Sequence, residues 1–347
     1  MHKTLSKAMA LLAVVSLLVF PSQALETAEM PTVKESIEMV LQGMAYEPEA
    51  YGLEEVSFDQ LTLGTRIPAF TMADETMSEI TAIEYYPVLF DSHVIAVARV
   101  AYNDNLPMTT ISCYLAELVD GAVQHDIPFA LLFDEASEAN IIDQDLPLFS
   151  QHALLCDERP VSLDVSVPTS LDSLTATQHY LSVPKVQQPT DLSCWAACIK
   201  SIGGYYGVSK TINQIYNYGG ITPYQGASIM TAWNVFENSP FNFTVQGELA
   251  GGTTCIAFST LKYYIDCGYP LYGAVIYGSN EGHAVVIRGY YSYSSSSSYA
   301  GSISYMNPST ASYEASNVAS SGSRPYVYTD SYGTYLGDIA DFLAVID

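Results

Sequence analysis

The residues best suited to chemistry in this chain are Cys194, His283, Asn307 and Gln188. Cys194 lies in Gln188-Pro189-Thr190-Asp191-Leu192-Ser193-Cys194-Trp195-Ala196-Ala197-Cys198. There Thr190 or Asp191 can cap a helix from about Ser193 to Tyr206, and Gly207 can stop it. A cysteine in a first helical turn has unpaired backbone N–H groups and the positive end of the macrodipole near its sulfur, which favours thiolate over thiol. With an imidazolium beside it, such a sulfur has a pKa of roughly 3.5–7.5. Downstream of Leu181 the chain has one histidine, His283 in Gly282-His283-Ala284-Val285, so a base for Cys194 from this half must be His283. The strand it opens and the strand ending at Asn307 flank the serine run Ser294 to Ser298. A hairpin centred on Ser295 puts Asn307 opposite His283, where the amide can fix the imidazole's tautomer and direction. Gln188 can set its side-chain N–H₂ beside the Cys194 N–H, giving two donors for the oxyanion that forms when a thiolate attacks a carbonyl. One such donor is worth about 2.7–4 kcal/mol in the transition state. Gln187, one residue earlier, competes for that role.

Plainer readings of the same residues are weaker. Cys194 and Cys198 share a helix face and could be paired with Cys255 and Cys267 in a metal site, but tetrathiolate zinc sites use short C-x2-C knuckles, which the chain lacks. A Cys255–Cys267 bridge with Cys198 as a buried thiol is favoured, with Cys198–Cys255 as an alternative. His93, His125 and His152 are scattered singly and read as ordinary sheet or loop residues. No metal or organic cofactor is implied.

The elements that must position the four residues follow from pattern. After the helix at Cys194, Ser209 can cap a shorter helix ending at Gly219-Gly220, Thr222-Pro223 can open a third running through Ala227 to Phe236, and a fourth covers about Ala257 to Cys267. From Leu271 the pattern turns to strands in "LYGAVIY", "HAVVIRGYY" and "GSISYMN". Helices followed by an antiparallel sheet is an α+β arrangement. Upstream, a helix over Thr32 to Met44 precedes strands at Tyr86 to Phe90, His93 to Tyr102, Thr110 to Leu118 and Phe129 to Phe133.

Composition divides the chain. Between Leu25 and Tyr180 there are 27 acidic residues against 4 basic ones, and from Leu181 onward 10 against 6, while 20 of the 27 tyrosines fall in the later part, which marks two regimes. Residues 1–24, basic and then apolar up to Ser22-Gln23-Ala24, read as a secretory signal and predict an exported, extracellular protein with no membrane contact after cleavage. The expected organisation is an acidic, sheet-rich domain over 25–159, a Ser/Thr/Pro linker over 160–182 and a second domain over 183–347. Export makes a Cys113–Cys156 disulfide the default pairing in the first half. Neither half carries a basic stripe, which excludes nucleic acid as a partner.

The pattern Gln188–x5–Cys194-Trp195-Ala196, Gly282-His283-Ala284-Val285 and Asn307 after a strand resembles the papain-like cysteine peptidase superfamily over roughly Val183 to Asn307. It lacks the Cys-Gly-Ser-Cys-Trp run of papain, and His283 and Asn307 follow Cys194 by 89 and 113 residues, less than the roughly 130–150 of that branch. The compact spacing is more similar to the secreted bacterial branches, staphopain-like and bacteriocin-processing-peptidase-like. In the latter an Asp commonly stands where Asn307 is. The resemblance implies a papain-like fold and a secreted endopeptidase acting on protein or peptide substrates through Cys194, His283, Asn307 and Gln188. By the staphopain-like pattern it is made as a zymogen whose 25–159 region is an intramolecular inhibitor until a cut within about 160–184. Two other outcomes share the same residues: a transamidase that resolves its thioester with an amine, and a secreted binding module with Cys194 locked in a disulfide.

Overall fold

Thr32 accepts a hydrogen bond from the Glu35 N–H at 3.2 Å while the Glu35 carboxylate accepts from the Thr32 N–H at 2.7 Å, a reciprocal capping box. Helix α1 (Val33–Met44) therefore starts where the sequence predicts, and it buries Ile37, Val40, Leu41 and Met44 on one face. A short α2 (Pro48–Tyr51) ends at Gly52, whose φ of +74° suits glycine. The computed structural model describes residues 30–347 except 74–75, 104, 125–128, 134–138, 143–159, 166–176, 249–256, 277–281, 294–297, 321–325 and 329–335. The expected signal segment, His125, His152, Cys156, Cys255 and most of the serine run lie outside the described residues.

The chain continues through β1 (Thr62–Leu63), β2 (Ala69–Ala73), β3 (Thr76–Glu79), β4 (Glu84–Phe90), β5 (His93–Asn103), β6 (Leu106–Ser112), α3 (Ala116–Gln124), β7 (Ala130–Phe133), β8 (Ala139–Ile142), β9 (Val161–Ser162) and β10 (Gln178–Tyr180). It then forms α4 (Cys194–Tyr205), α5 (Ile212–Gly219), α6 (Ile229–Glu237), β11 (Thr244–Glu248), α7 (Phe258–Asp266) and β12 (Leu271–Ile276). The last strands are β13 (Gly282–Ser292), β14 (Tyr299–Asn307), β15 (Ser312–Ala319), β16 (Tyr326–Tyr328) and β17 (Leu336–Ile346). The mixture of helices and antiparallel sheet matches the α+β expectation.

Three boundaries differ from the sequence pattern. The strand expected over Thr110 to Leu118 stops at Ser112, because Leu115 and Val119, one helical turn apart, bury with Tyr85, Val97 and Phe133 as the start of α3. Thr222 does not open a helix: it closes a turn in which its hydroxyl donates to the Gln225 side-chain oxygen at 3.0 Å. Helix α6 begins instead after Ser228, whose hydroxyl accepts from the Thr231 N–H. Helix α5 is capped by Thr211, with Gln214 completing its box, rather than by Ser209.

Thirteen strands form one sheet in the order β11-β17-β12-β13-β14-β15-β6-β5-β4-β1-β9, with β10 also on β13 and β16 on β17. A second sheet, β3-β2-β7-β8, contains one parallel pair, β2 with β7, a departure from the purely antiparallel expectation. The large sheet runs through the boundary that composition marks. β15 pairs with β6 through Ala315↔Ile111 and Ser316↔Thr110, and Pro31–Asp347 cluster as one unit. Two ladder pairs alone would be a weak join, and side chains reinforce it. The Asn317 oxygen accepts from the Thr109 N–H at 2.9 Å, its amide donates to Ser36 on α1 at 2.8 Å, and Ser36 donates to the Pro107 carbonyl at 2.9 Å. All of these side chains are buried, so removing one partner while the seam stays closed would leave the other unpaired at a cost of about 1–3 kcal/mol. Apolar packing crosses the same seam, since Ile37, Leu41, Val88 and Ile111 share a cluster with Trp195, Ile199, Val285 and Phe342.

Candidate active site

Helix α4 opens the site. Cys194 is its first residue, and Ser193 stands at the N-cap without capping it. The expected cap by Thr190 or Asp191 is not formed. The Ser193 hydroxyl is held instead by the Tyr216 hydroxyl at 2.5 Å and by that of Thr190, which also contacts the Pro223 carbonyl. That network fixes the turn before the helix while leaving its first N–H groups uncapped, an arrangement suited to a developing anion. Behind Cys194 the helix is buried almost all round, including Trp195, Ala196, Ala197, Cys198 and Ile199. A Cβ on Gly219 would lie 2.8 Å from the Trp195 ring, so glycine there lets α5 close against this helix.

β13 and β14 supply the rest. Their register pairs Val286 with Met306 and Ile287 with Tyr305, which continues to place Asn307 beside Val285 rather than His283. The offset from the sequence expectation is two residues, so both side chains stay on one face. The His283 Nε2 meets the Asn307 Oδ1 at 3.1 Å. Asn307 is itself oriented from both sides: its oxygen accepts from the Ser309 N–H at 3.0 Å and its amide donates to Glu314 at 3.2 Å. A backbone N–H can only donate and a carboxylate can only accept, so the Asn307 oxygen faces His283. His283 therefore carries its proton on Nε2 and leaves Nδ1 as the proton acceptor.

The Cys194 sulfur is reached by the N–H groups of Ala284, which follows His283, of Trp195 and of Cys194 itself. Among the described residues no side-chain hydrogen bond joins this sulfur to the His283 ring. Burial pushes the Cys194 thiol upward from its ordinary value, and those three N–H groups only partly offset the rise. Burial lowers the His283 imidazole to about 4, against which the Asn307 bond acts upward. Both shifts favour the thiol and the neutral imidazole over the thiolate expected from the helix terminus alone.

Gln188 is tied to the same corner, because its backbone N–H donates to the Pro308 carbonyl at 2.9 Å. The competing Gln187 spends its amide on the Ser309 carbonyl at 2.7 Å. The Gln188 side-chain oxygen is buried with no partner among the described residues, whereas the Gln187 amide is engaged. The four expected residues thus come from α4, the segment before it, the start of β13 and the end of β14. Sequence reasoning missed Glu314, Tyr305, Ser193 and Tyr216. Glu314 is the one glutamate in the strand "SYEASNVA", and its place opposite Tyr305 across a tight hairpin was the available signal.

Cys113, Cys194, Cys198 and Cys267 are free thiols among the described residues, and the expected partners Cys156 and Cys255 lie outside them. Cys198 is a fully buried thiol, as expected.

No protein-family model and no curated protein matches the chain. Among solved structures it is similar to the peptidase domain of Streptococcus ComA, a bifunctional ABC transporter involved in a quorum-sensing pathway. The two are 17% identical with a TM-score of 0.30, over 46% of this chain and 96% of that one. It is the geometry around Cys194, not this likeness, that carries a functional reading.

Proposed function

We propose that the chain is a cysteine peptidase. Nδ1 of His283 takes the thiol proton as the Cys194 sulfur attacks a peptide carbonyl, and the oxyanion is met by the Cys194 N–H and the Gln188 amide. The proton passes to the leaving amine as the C–N bond breaks, leaving a thioester. Water, deprotonated by the same nitrogen, then attacks the thioester and restores the thiol. The observation that carries this reading is the Asn307 amide, held by Ser309 and Glu314 so that it fixes His283 in the tautomer a base for Cys194 requires. The disulfide-locked binding module is not favoured, since Cys194 is a free thiol.

Incubating the full chain with a peptidyl epoxide tests the reading. One adduct by intact mass, mapped to Cys194 and lost in Cys194→Ala, is expected, together with cleavage of peptide substrates. No adduct, or labelling only at Cys113 or Cys267, would refute it. A labelled amine in the same reaction separates hydrolysis from transamidation. The same reading includes export through residues 1–24 and a maturation cut within about 160–184. N-terminal sequencing of the active secreted form tests both, and a fully active form with no cut in that range would dismiss the second.

A further inference from the structure

We propose that Arg99, on β5 of the acidic half, is a positioning residue for the Cys194–His283 site, acting through Glu314 and Asn307, and that its half of the chain stays with the working enzyme whatever is cut in the 160–184 stretch. This rests on the peptidase reading. The contacts form one line. His283 bonds Asn307, and Asn307 donates to the Glu314 Oε1. The other carboxylate oxygen accepts from Arg99 Nη2 at 2.6 Å and from the Tyr305 hydroxyl at 2.9 Å. Thr310 adds a longer contact to Oε1 at 3.4 Å. Arg99, Tyr305, Asn307 and Glu314 are all completely buried.

Glu314 holds the Asn307 nitrogen as an acceptor through Oε1, so the direction of that oxygen sets the direction of the amide. A buried carboxylate survives ionised when a cation is paired with it. The cation in hydrogen-bond contact is Arg99, from a strand 215 residues away in sequence. Burial, with Glu314 adding to it, raises the neighbouring Tyr305 hydroxyl well above its ordinary value and pushes the Cys113 thiol up to about 12. Without Arg99 the carboxylate is an uncompensated buried charge with no cation on Oε2, and it turns or shifts to relieve that, taking Oε1 away from the Asn307 nitrogen. The Asn307 amide then loses the contact that keeps its oxygen toward His283. A half that supplies this cation, and shares a sheet and an apolar core with the site, works as a scaffold after any cut rather than as a discarded segment.

Full-length Arg99→Met, Arg99→Lys and the double variant Arg99→Met/Glu314→Gln test this. The amide oxygen that Glu314→Gln introduces can still accept from Asn307 without needing a counter-charge, so the double variant keeps the proposal testable even where the single one folds poorly. We expect Arg99→Met to lower kcat by about 10²-fold with KM little changed, the scale for a misplaced reacting group. Arg99→Lys and the double variant should recover most of the loss. Ring ¹⁵N shifts of His283 should show the Nε2–H tautomer in the wild type and the double variant and lose it in Arg99→Met. Unchanged kcat in Arg99→Met, a double variant no better than the single one, or an active species lacking residues 31–112 would overturn the proposal. Absence of hydrolysis and of thiol adduct in the wild type would instead refute the peptidase reading, and the His283 shifts would still test the Arg99 link by themselves.

Discussion

Two arginines cross between the acidic half and the tyrosine-rich half, in opposite directions. Arg99 reaches from β5 to Glu314 on β15, and Arg288 reaches from β13 back to Glu47 beside α2, each at 2.6 Å. Both guanidiniums are fully buried, but the Glu314 side chain is sealed whereas that of Glu47 is 30% exposed. Arg288 also donates to the Leu181 carbonyl at 2.8 Å and to the Ser304 hydroxyl at 2.9 Å, and lies over the Tyr313 ring at 4.1 Å. It fastens β10, β13, β14 and β15, and among the described residues none of its hydrogen-bond partners bonds the His283 ring. The contrast separates two uses of a buried charge: one holds strands together, the other holds the carboxylate that accepts from the Asn307 amide.

Steady-state kinetics offers the largest separation. We expect Arg99→Met to lose about 10²-fold in kcat and Arg288→Met to stay within about threefold, since only the first sits behind Asn307. Equal losses would erase the contrast. Denaturant unfolding should rank the two the same way. Removing Arg99 leaves a sealed carboxylate and should cost about 3–5 kcal/mol, whereas Arg288→Met leaves Glu47 able to rehydrate and should cost about 1–3 kcal/mol.

A third measurement follows from His283. Its folded pKa of about 4 lies below the ordinary 6.5, so between those values the unfolded chain binds more protons and stability falls as pH falls, by on the order of 3 kcal/mol. The acid limb of kcat/KM in the free enzyme should likewise lie near pH 4 and should be unmoved in Arg288→Met. Alkylation of Cys194 should still be rising above pH 9, because its thiol is held above that ordinary value. A plateau by pH 6 would mean a preformed thiolate. The smallest effect belongs to Glu47→Gln, about 1 kcal/mol or less in a melting experiment, as for a partly exposed ion pair.

Much of the fold was legible where local chemistry decides it. The helix over Thr32 to Met44, the helix from about Ser193 and the strands at Leu271 and His283 follow from the periodicity, and all form. The Thr222 reading failed because a Thr–x–x–Gln pattern closes a turn as readily as a helix. The candidate site was legible as residue types, and the two-residue register offset was harmless because it preserved the face. The protonation state was not legible, since it depends on how deeply Cys194 and His283 are buried. The Arg99–Glu314 link was invisible for a similar reason. A single glutamate in a polar strand reads as a solvent-facing charge until its strand is known to lie between two others.

β17 sits between β11 and β12, so residues 336–346 fill a slot between segments made roughly sixty to a hundred residues earlier. A nascent chain that has just delivered Asn307 to the ribosome exit holds every residue proposed for the chemistry, yet β12, which flanks the His283 strand, still has an open edge there. At about 5–20 residues per second, closure lags by seconds. During that interval the free edge of β12 can pair with another chain, and a chaperone that covers the open strand would guard against clumping.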